Sequence, residues 1–140
     1  DATNPEVIKK LRERKRRPTK PFAILYPSLS LLKQHLKINN IQEDTLTSPE
    51  SPIVIVPKTD LTGNLAVDEL APQLNQLGIM LPYSGILFLL ATELQIPIVA
   101  TSGNIHTSPI ISDAATAHQE LVDVADYFLD HNLDITNPQD

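Results

Sequence analysis

The stretch SGILFLLATELQIPIVATSGN, residues 84–104, indicates the fold most clearly. Ser84–Leu94 is apolar almost all round and predicts a buried helix, because such a helix has no polar side to turn towards solvent. Ile96–Ala100 predicts a short strand, which runs directly into the small polar residues Thr101–Asn104. A helix followed at once by a strand is typical of an α/β domain.

The alternation of strands and helices extends outward from this stretch. Further strands are predicted at Phe22–Tyr26, at Ile53–Val56, at Gly78–Leu81 and, as the start of a last strand, at Tyr127–Leu129. Helices are predicted from Asn4-Pro5 to a point before Pro18, over Ser28–Lys37, as a short turn at Val67–Leu70, and over Asp113–Asp126. This order predicts an α/β domain with a mixed sheet and flanking helices.

Composition narrows the class of protein. The 140 residues are 41% apolar and 20% charged, which predicts a single domain with a buried core. The chain has no Cys, so a disulfide scaffold, thiolate catalysis and a Cys-ligated metal are excluded, and we expect a cytoplasmic location. It has no apolar run near the roughly 18 residues that cross a bilayer, so no membrane partner is expected.

The charge distribution is strongly asymmetric. Eight of the eleven basic residues lie between Lys9 and Lys20, so residues 1–20 carry +5 while residues 21–140 carry −11. Basic residues at the end of a helix complement its macrodipole, but that accounts for only a few of the eight. The cluster therefore predicts a site for a polyanion, either a nucleoside triphosphate or a nucleic-acid backbone.

The turn Thr101–Asn104 is the second candidate for function. It follows a predicted strand, and such strand ends commonly hold phosphate and ribose. Backbone N–H groups near Gly103 can form an anion-binding concavity, and the hydroxyls of Thr101 and Ser102 can contact the ligand or Mg²⁺. Taken alone, a turn of this kind is more often only structural.

Three runs together resemble one family. They are a Lys-x-Arg-Pro-x-Lys-Pro-Phe-Ala run ending at Ala23, the run Ala71–Tyr83, and Thr101–Asn104. In combination they resemble the YrdC-like domain, and the similarity is greatest to the YrdC-like domain of the HypF family of hydrogenase-maturation carbamoyltransferases. Residues 46–54 also resemble that family, and the resemblance extends from Asp1 to about residue 132.

The resemblance implies a concave, positively charged face that binds ATP with Mg²⁺. The reaction it implies joins a carbamate-like acyl substrate to AMP, giving carbamoyl adenylate and pyrophosphate. Lys15 and Arg17 match the family's paired phosphate-binding cations, and Lys20 matches the lysine that follows them. The residues that match the nucleotide-contacting turn are Thr101, Ser102 and Asn104.

Some family features are absent from this sequence. The family carries a strand and a substrate segment upstream of the position of Asp1, and a family arginine is replaced by Leu133. We therefore expect residues 1–140 to be a single, truncated YrdC-like domain that lacks one or more N-terminal strands. Such a domain exposes a sheet edge that another chain could complete, and its catalytic activity is uncertain.

Two alternatives of other classes stay open. The family is associated with double-stranded RNA, and a basic face suits A-form phosphates. The domain could also be an inactive remnant that is retained for protein interaction. No metal site is predicted, because His35, His106, His118 and His131 lack a ligand spacing on one helix face. A solvated helix face accounts for the acidic series Asp123, Asp126, Asp130 and Asp134.

Overall fold

A computed structural model describes residues 1–105 and 108–132 of the chain. The helices are α1 (Pro5–Arg14), α2 (Leu29–His35), α3 (Asn40–Leu46), α4 (Val67–Leu70), α5 (Gly85–Leu94) and α6 (Ala114–Glu120), with a 3-10 turn at Lys58–Asp60. The strands are β1 (Ala23–Leu25), β2 (Val54–Pro57), β3 (Gln76–Met80) and β4 (Ile98–Ala100). Residues 1–9 with 19–100 form a first compact unit, and residues 10–18 with the described residues from 101 onward form a second.

The sheet lies in the first unit and has the order β2-β3-β1-β4. β1 pairs with β3 in parallel, whereas the two outer pairs are antiparallel. Ile24 lies at the centre of the register, opposite Ile79 on one side and Val99 on the other. The predicted mixed α/β class is therefore confirmed. Whether the chain is one domain stays a prediction.

The core of the first unit is mainly aliphatic. Alternate strand residues such as Ile24, Val56 and Ile79 are fully buried, because successive strand side chains point to opposite faces of the sheet. On the other face, Leu25 and Met80 pack with Ala91 of α5. Buried side chains outside the strands complete the core: Ile8, Phe22, Tyr26, Leu32, Leu36, Leu46 and Leu70.

Helix starts follow the local capping signals. The Asn4 side chain accepts a hydrogen bond from the N–H of Glu6, and Ser28 accepts one from Leu31. Asp113 caps α6 in the same way. Helix α3 was not predicted, although Asn39 and Gln42 form a capping box that marks its start.

Three expectations about these elements are wrong. Helix α5 is largely exposed, with Phe88 56% and Leu89 68% accessible, because the sheet covers only the side that carries Ala91. Residues 127–129 form no strand, and Tyr127 is 93% exposed, so this apolar run lacks a neighbour to pair with in the described part of the chain. Helix α6 ends at Glu120, six residues before the predicted end.

Over residues 1–105 and 108–132, no helix combines the length and the apolar character that crossing a membrane requires.

Candidate functional site

The basic segment Lys10–Pro18 includes the last turns of α1. Beyond Arg14 the backbone reverses sharply. The Arg17 N–H donates to the Arg12 carbonyl at 2.9 Å, and the Arg16 N–H donates to the Glu13 carbonyl at 3.0 Å. These two bonds form a Schellman motif, and Arg16 occupies its left-handed position with φ 51°. Glycine usually takes this position, so an arginine here adds backbone strain to the segment.

The turn Thr101–Asn104 is fixed by its own hydrogen bonds. The Ser102 hydroxyl lies 2.7 Å from Oδ1 of Asn104, and the Asn104 N–H donates to the Ser102 carbonyl at 3.0 Å. The Ile111 N–H donates to the Gly103 carbonyl at 3.0 Å. In contrast, the N–H groups of Ser102 and Gly103 donate to no group within residues 1–105 and 108–132.

Lys15 joins the basic segment to the turn, and both belong to the second unit. Its Nζ donates to the carbonyl of Ser102 at 2.5 Å and to the carbonyl of Asn104 at 2.9 Å. Burial lowers the pKa of Lys15, and the positive charge of Arg17 lowers it further. Three of the residues predicted for the site, Lys15, Ser102 and Asn104, are therefore in direct contact.

The other predicted site residues have different surroundings. Arg17 is half-buried, and desolvation lowers the pKa of its guanidinium. Thr101 is exposed at the start of the turn. Lys20 is exposed and belongs to the first unit. The structure thus groups five of the six predicted residues in one unit.

Several other basic side chains already have partners inside the protein. Nη1 of Arg12 donates to the Arg17 carbonyl at 2.8 Å, and Nη1 of Arg14 lies 2.9 Å from Oδ1 of Asp126. Lys9 pairs with Glu6 at 3.0 Å. The charge cluster is therefore partly structural, and its contribution to an anion site is smaller than the sequence suggests. Neither anchoring arginine was singled out, because nothing local in the sequence marks its distant partner.

Among the described residues, no group of three or more His, Cys, Asp or Glu side chains could hold a metal ion. Nε2 of His118 lies 2.9 Å from Oδ2 of Asp130, so this member of the acidic series contacts a histidine within the protein. His106, Leu133 and Asp134 lie outside the described residues.

Comparison with known proteins places this arrangement in a family. The protein-family model Sua5_yciO_yrdC, whose description is "Telomere recombination", matches residues 1–140. "Carbamoyltransferase HypF" of Synechocystis is 39% identical to this chain over 140 residues, and that of Rhodobacter capsulatus is 36% identical over 140 residues. Both alignments cover 100% of this chain and 18% of the relative. The chain thus spans less than a fifth of the length of these curated relatives.

Solved structures agree with the sequence relatives. The crystal structure of full-length HypF in the phosphate- and nucleotide-bound form matches with a TM-score of 0.91 and 38% identity, over 100% of this chain and 22% of that chain. The crystal structure of T. kodakarensis HypF matches with a TM-score of 0.88 and 39% identity, over 100% of this chain and 18% of that chain.

A more distant structure shares the fold. P. abyssi Sua5 complexed with L-threonine matches with a TM-score of 0.72 and 19% identity, over 89% of this chain and 36% of that chain. The resemblance predicted from the sequence is therefore confirmed. The chain belongs to the Sua5/YciO/YrdC family and corresponds to the YrdC-like portion of HypF carbamoyltransferases.

Proposed function

We propose that this chain is an ATP-binding YrdC-like domain of the kind that forms carbamoyl adenylate. The observation that carries the proposal is the pair of hydrogen bonds from Lys15 to the Ser102 and Asn104 carbonyls. They hold a cationic segment against a turn that offers the Thr101 hydroxyl and two N–H groups, which are donors of the kind that a polyphosphate needs. A full-length HypF of 38% identity crystallised in a phosphate- and nucleotide-bound form.

In this proposal the triphosphate lies between Arg17 and the turn. The guanidinium of Arg17 supplies a fixed charge and planar donors, because arginine stays protonated in proteins. The N–H groups of Ser102 and Gly103 and the hydroxyl of Thr101 add neutral donors. A Mg²⁺ ion would enter with the nucleotide, because the described residues offer hydroxyls here and no carboxylate cluster.

The reaction is an in-line displacement at the α-phosphorus. A carbamate oxygen forms the new bond to phosphorus, the bond from the α-phosphorus to the bridging oxygen breaks, and pyrophosphate leaves with the electron pair. Negative charge grows on the leaving group, so fixed donors aimed at the β- and γ-phosphates lower the barrier. No side chain needs to act as an acid or a base in this step.

Calorimetric titration with ATP and Mg²⁺ tests the binding. Arg17→Ala should weaken ATP binding by about 1–3 kcal/mol, the range for a hydrogen bond to a charged group. Lys10→Ala is the matched control, because Lys10 is exposed on α1, and its affinity should stay within about 0.5 kcal/mol of the wild type. Equal affinities for the Arg17 variant and the wild type would contradict the site.

Two rival functions predict different results when binding of ATP, binding of duplex RNA and release of pyrophosphate are measured. A double-stranded RNA module would bind duplex RNA with a steep loss of affinity between low and moderate salt, and would not bind ATP. The internal partners of Lys9, Arg12 and Arg14 leave fewer cations for such a duplex. An inactive domain retained for interaction would release no pyrophosphate from ATP and carbamate, whether or not it binds ATP.

A further inference from the structure

Lys15 is more deeply buried than any other charged side chain in the described part of the protein, with only 3% of it exposed. A lysine ammonium has three donors and no acceptor. Two of these donors point at the carbonyl oxygens of Ser102 and Asn104. Most of the hydrogen-bonding capacity of Lys15 is therefore used inside the protein.

The hydrogen bonds of Lys15 fix the orientation of peptide groups in the turn Thr101–Asn104. A peptide unit is planar and trans, so its C=O and the N–H of the next residue point in opposite directions. When Lys15 holds the Ser102 carbonyl, it also sets the direction of the Gly103 N–H. The Gly103 carbonyl is held in turn by the N–H of Ile111 at 3.0 Å. The orientation of consecutive peptide planes in this turn is thus fixed from inside the protein.

We infer that Lys15 is a positioning residue, which acts on a phosphate ligand by orienting the Gly103 N–H towards it and not by contacting the phosphate. The inference rests on the proposed function, which supplies the ligand. It departs from the expectation that Lys15 and Arg17 are an equivalent pair of phosphate ligands. Arg17 remains the cation that contacts the phosphate, whereas Lys15 orients the backbone N–H donor of Gly103.

The burial of Lys15 agrees with this division of roles. Desolvating an ammonium is costly unless hydrogen bonds compensate it, and burial lowers the pKa of Lys15. A cation whose only task is to attract phosphate is served better by an exposed position, such as those of Lys10 and Arg16 on the same segment. The two carbonyl acceptors at 2.5 and 2.9 Å offset the cost of desolvation and hold the turn at the same time.

Hydrogen exchange in the absence of ligand tests whether Lys15 holds the turn. In Lys15→Met, which keeps the length of the side chain but removes its donors, the amides of Asn104 and Ile111 should lose protection at least about tenfold. The amide of Ile79 in β3 should be unchanged, which separates a local effect from general destabilisation. Lys10→Met serves as the control and should alter neither. Unchanged protection of the turn in Lys15→Met would overturn the inference.

A second measurement needs only the wild-type chain, so it holds even if the variant fails to fold. During titration with ATP and Mg²⁺, the ¹⁵N signals of the Gly103 amide and the Arg17 guanidinium should shift, while that of Lys15 Nζ should stay close to its free position. A large shift of Lys15 Nζ with a still Gly103 amide would overturn the inference. If no signal moves, the proposed ATP function fails and the ligand role of Lys15 fails with it, while the exchange result still shows whether Lys15 holds the turn.

Discussion

The two compact units are stabilised by different kinds of side chain. In the first unit the sheet and its helices bury aliphatic residues, such as Ile24, Leu32 and Ile79, almost completely. In the second unit, among the described residues, the buried side chains are those of two cations, Arg12 and Lys15. Its helix α6 has no buried residue.

This difference has consequences for stability. Apolar burial contributes about 25 cal/mol for each Å² and does not depend on direction, so it dominates the free energy of folding. A hydrogen bond from a charged group contributes only about 1.5–3 kcal/mol net, but it fixes geometry. We therefore expect the sheet to set the global free energy of unfolding. The segments that carry the candidate site should open locally at a lower free energy.

The largest expected effect comes from the core of the sheet. Ile79→Ala removes a side chain that is 0% exposed, and it should lower the free energy of unfolding by about 2–5 kcal/mol through lost burial and a residual cavity. Urea titration followed by circular dichroism measures this change. Ile41→Ala, at a position that is 78% exposed, is the control and should stay within about 0.5 kcal/mol. Equal losses in both variants would show that the sheet is not the stabilising element.

Raising the pH above neutral should change the stability contributions of Tyr26 in the first unit and Lys15 in the second unit in opposite directions. Burial raises the pKa of Tyr26, so its neutral form is favoured in the fold, and stability should be lost as pH rises above the unfolded value near 10. For Lys15 the folded pKa is lowered, so its contribution to stability should increase as pH approaches the unfolded value near 10.5.

Urea midpoints measured between pH 8 and pH 11 test the contribution of Tyr26. The wild type should become less stable above pH 10, and Tyr26→Phe should lose much less stability over the same range. Phenylalanine keeps the ring in the core, and the contact that it gives up, from the Tyr26 hydroxyl to Nδ1 of His35, is long at 3.4 Å. The same alkaline loss in both proteins would show that Tyr26 is not responsible.

The sequence predicted the elements of the first unit better than their surroundings. Apolar runs bounded by proline marked β1 and β2, because proline restricts the backbone of its neighbours and removes a donor. The burial of α5 was predicted wrongly, since an apolar helix is buried only on a side that a neighbour covers. Composition alone cannot say which side that is.

The candidate site could be predicted in its parts but not in its assembly. The basic segment and the turn Thr101–Asn104 were both visible in the sequence. The contact between Lys15 and Ser102 joins residues 87 positions apart, and that between Arg14 and Asp126 joins residues 112 apart. Such pairs depend on the tertiary fold, and no local pattern distinguishes an anchoring cation from a ligand-binding one. For this reason the charge distribution alone could not separate the anchoring Arg12 and Arg14 from Lys15 and Arg17.

The smallest expected effect is a gain of stability at the end of α1. Arg16 holds a left-handed conformation, which costs a residue with a side chain about 1–2 kcal/mol, whereas glycine adopts it freely but has a more flexible unfolded state. Arg16→Gly should therefore stabilise the protein by about 0.5–1 kcal/mol, measured as a higher urea midpoint with an unchanged slope. Lys10→Gly, inside the same helix, should have the opposite sign and cost about 1 kcal/mol.

If the second unit opens before the sheet unfolds, the gain from Arg16→Gly will appear in the hydrogen exchange of the Arg17 amide and not in the urea midpoint. That result would sharpen the contrast between the two units. A loss of stability by both measures would show that Arg16 is held by contacts stronger than its strain.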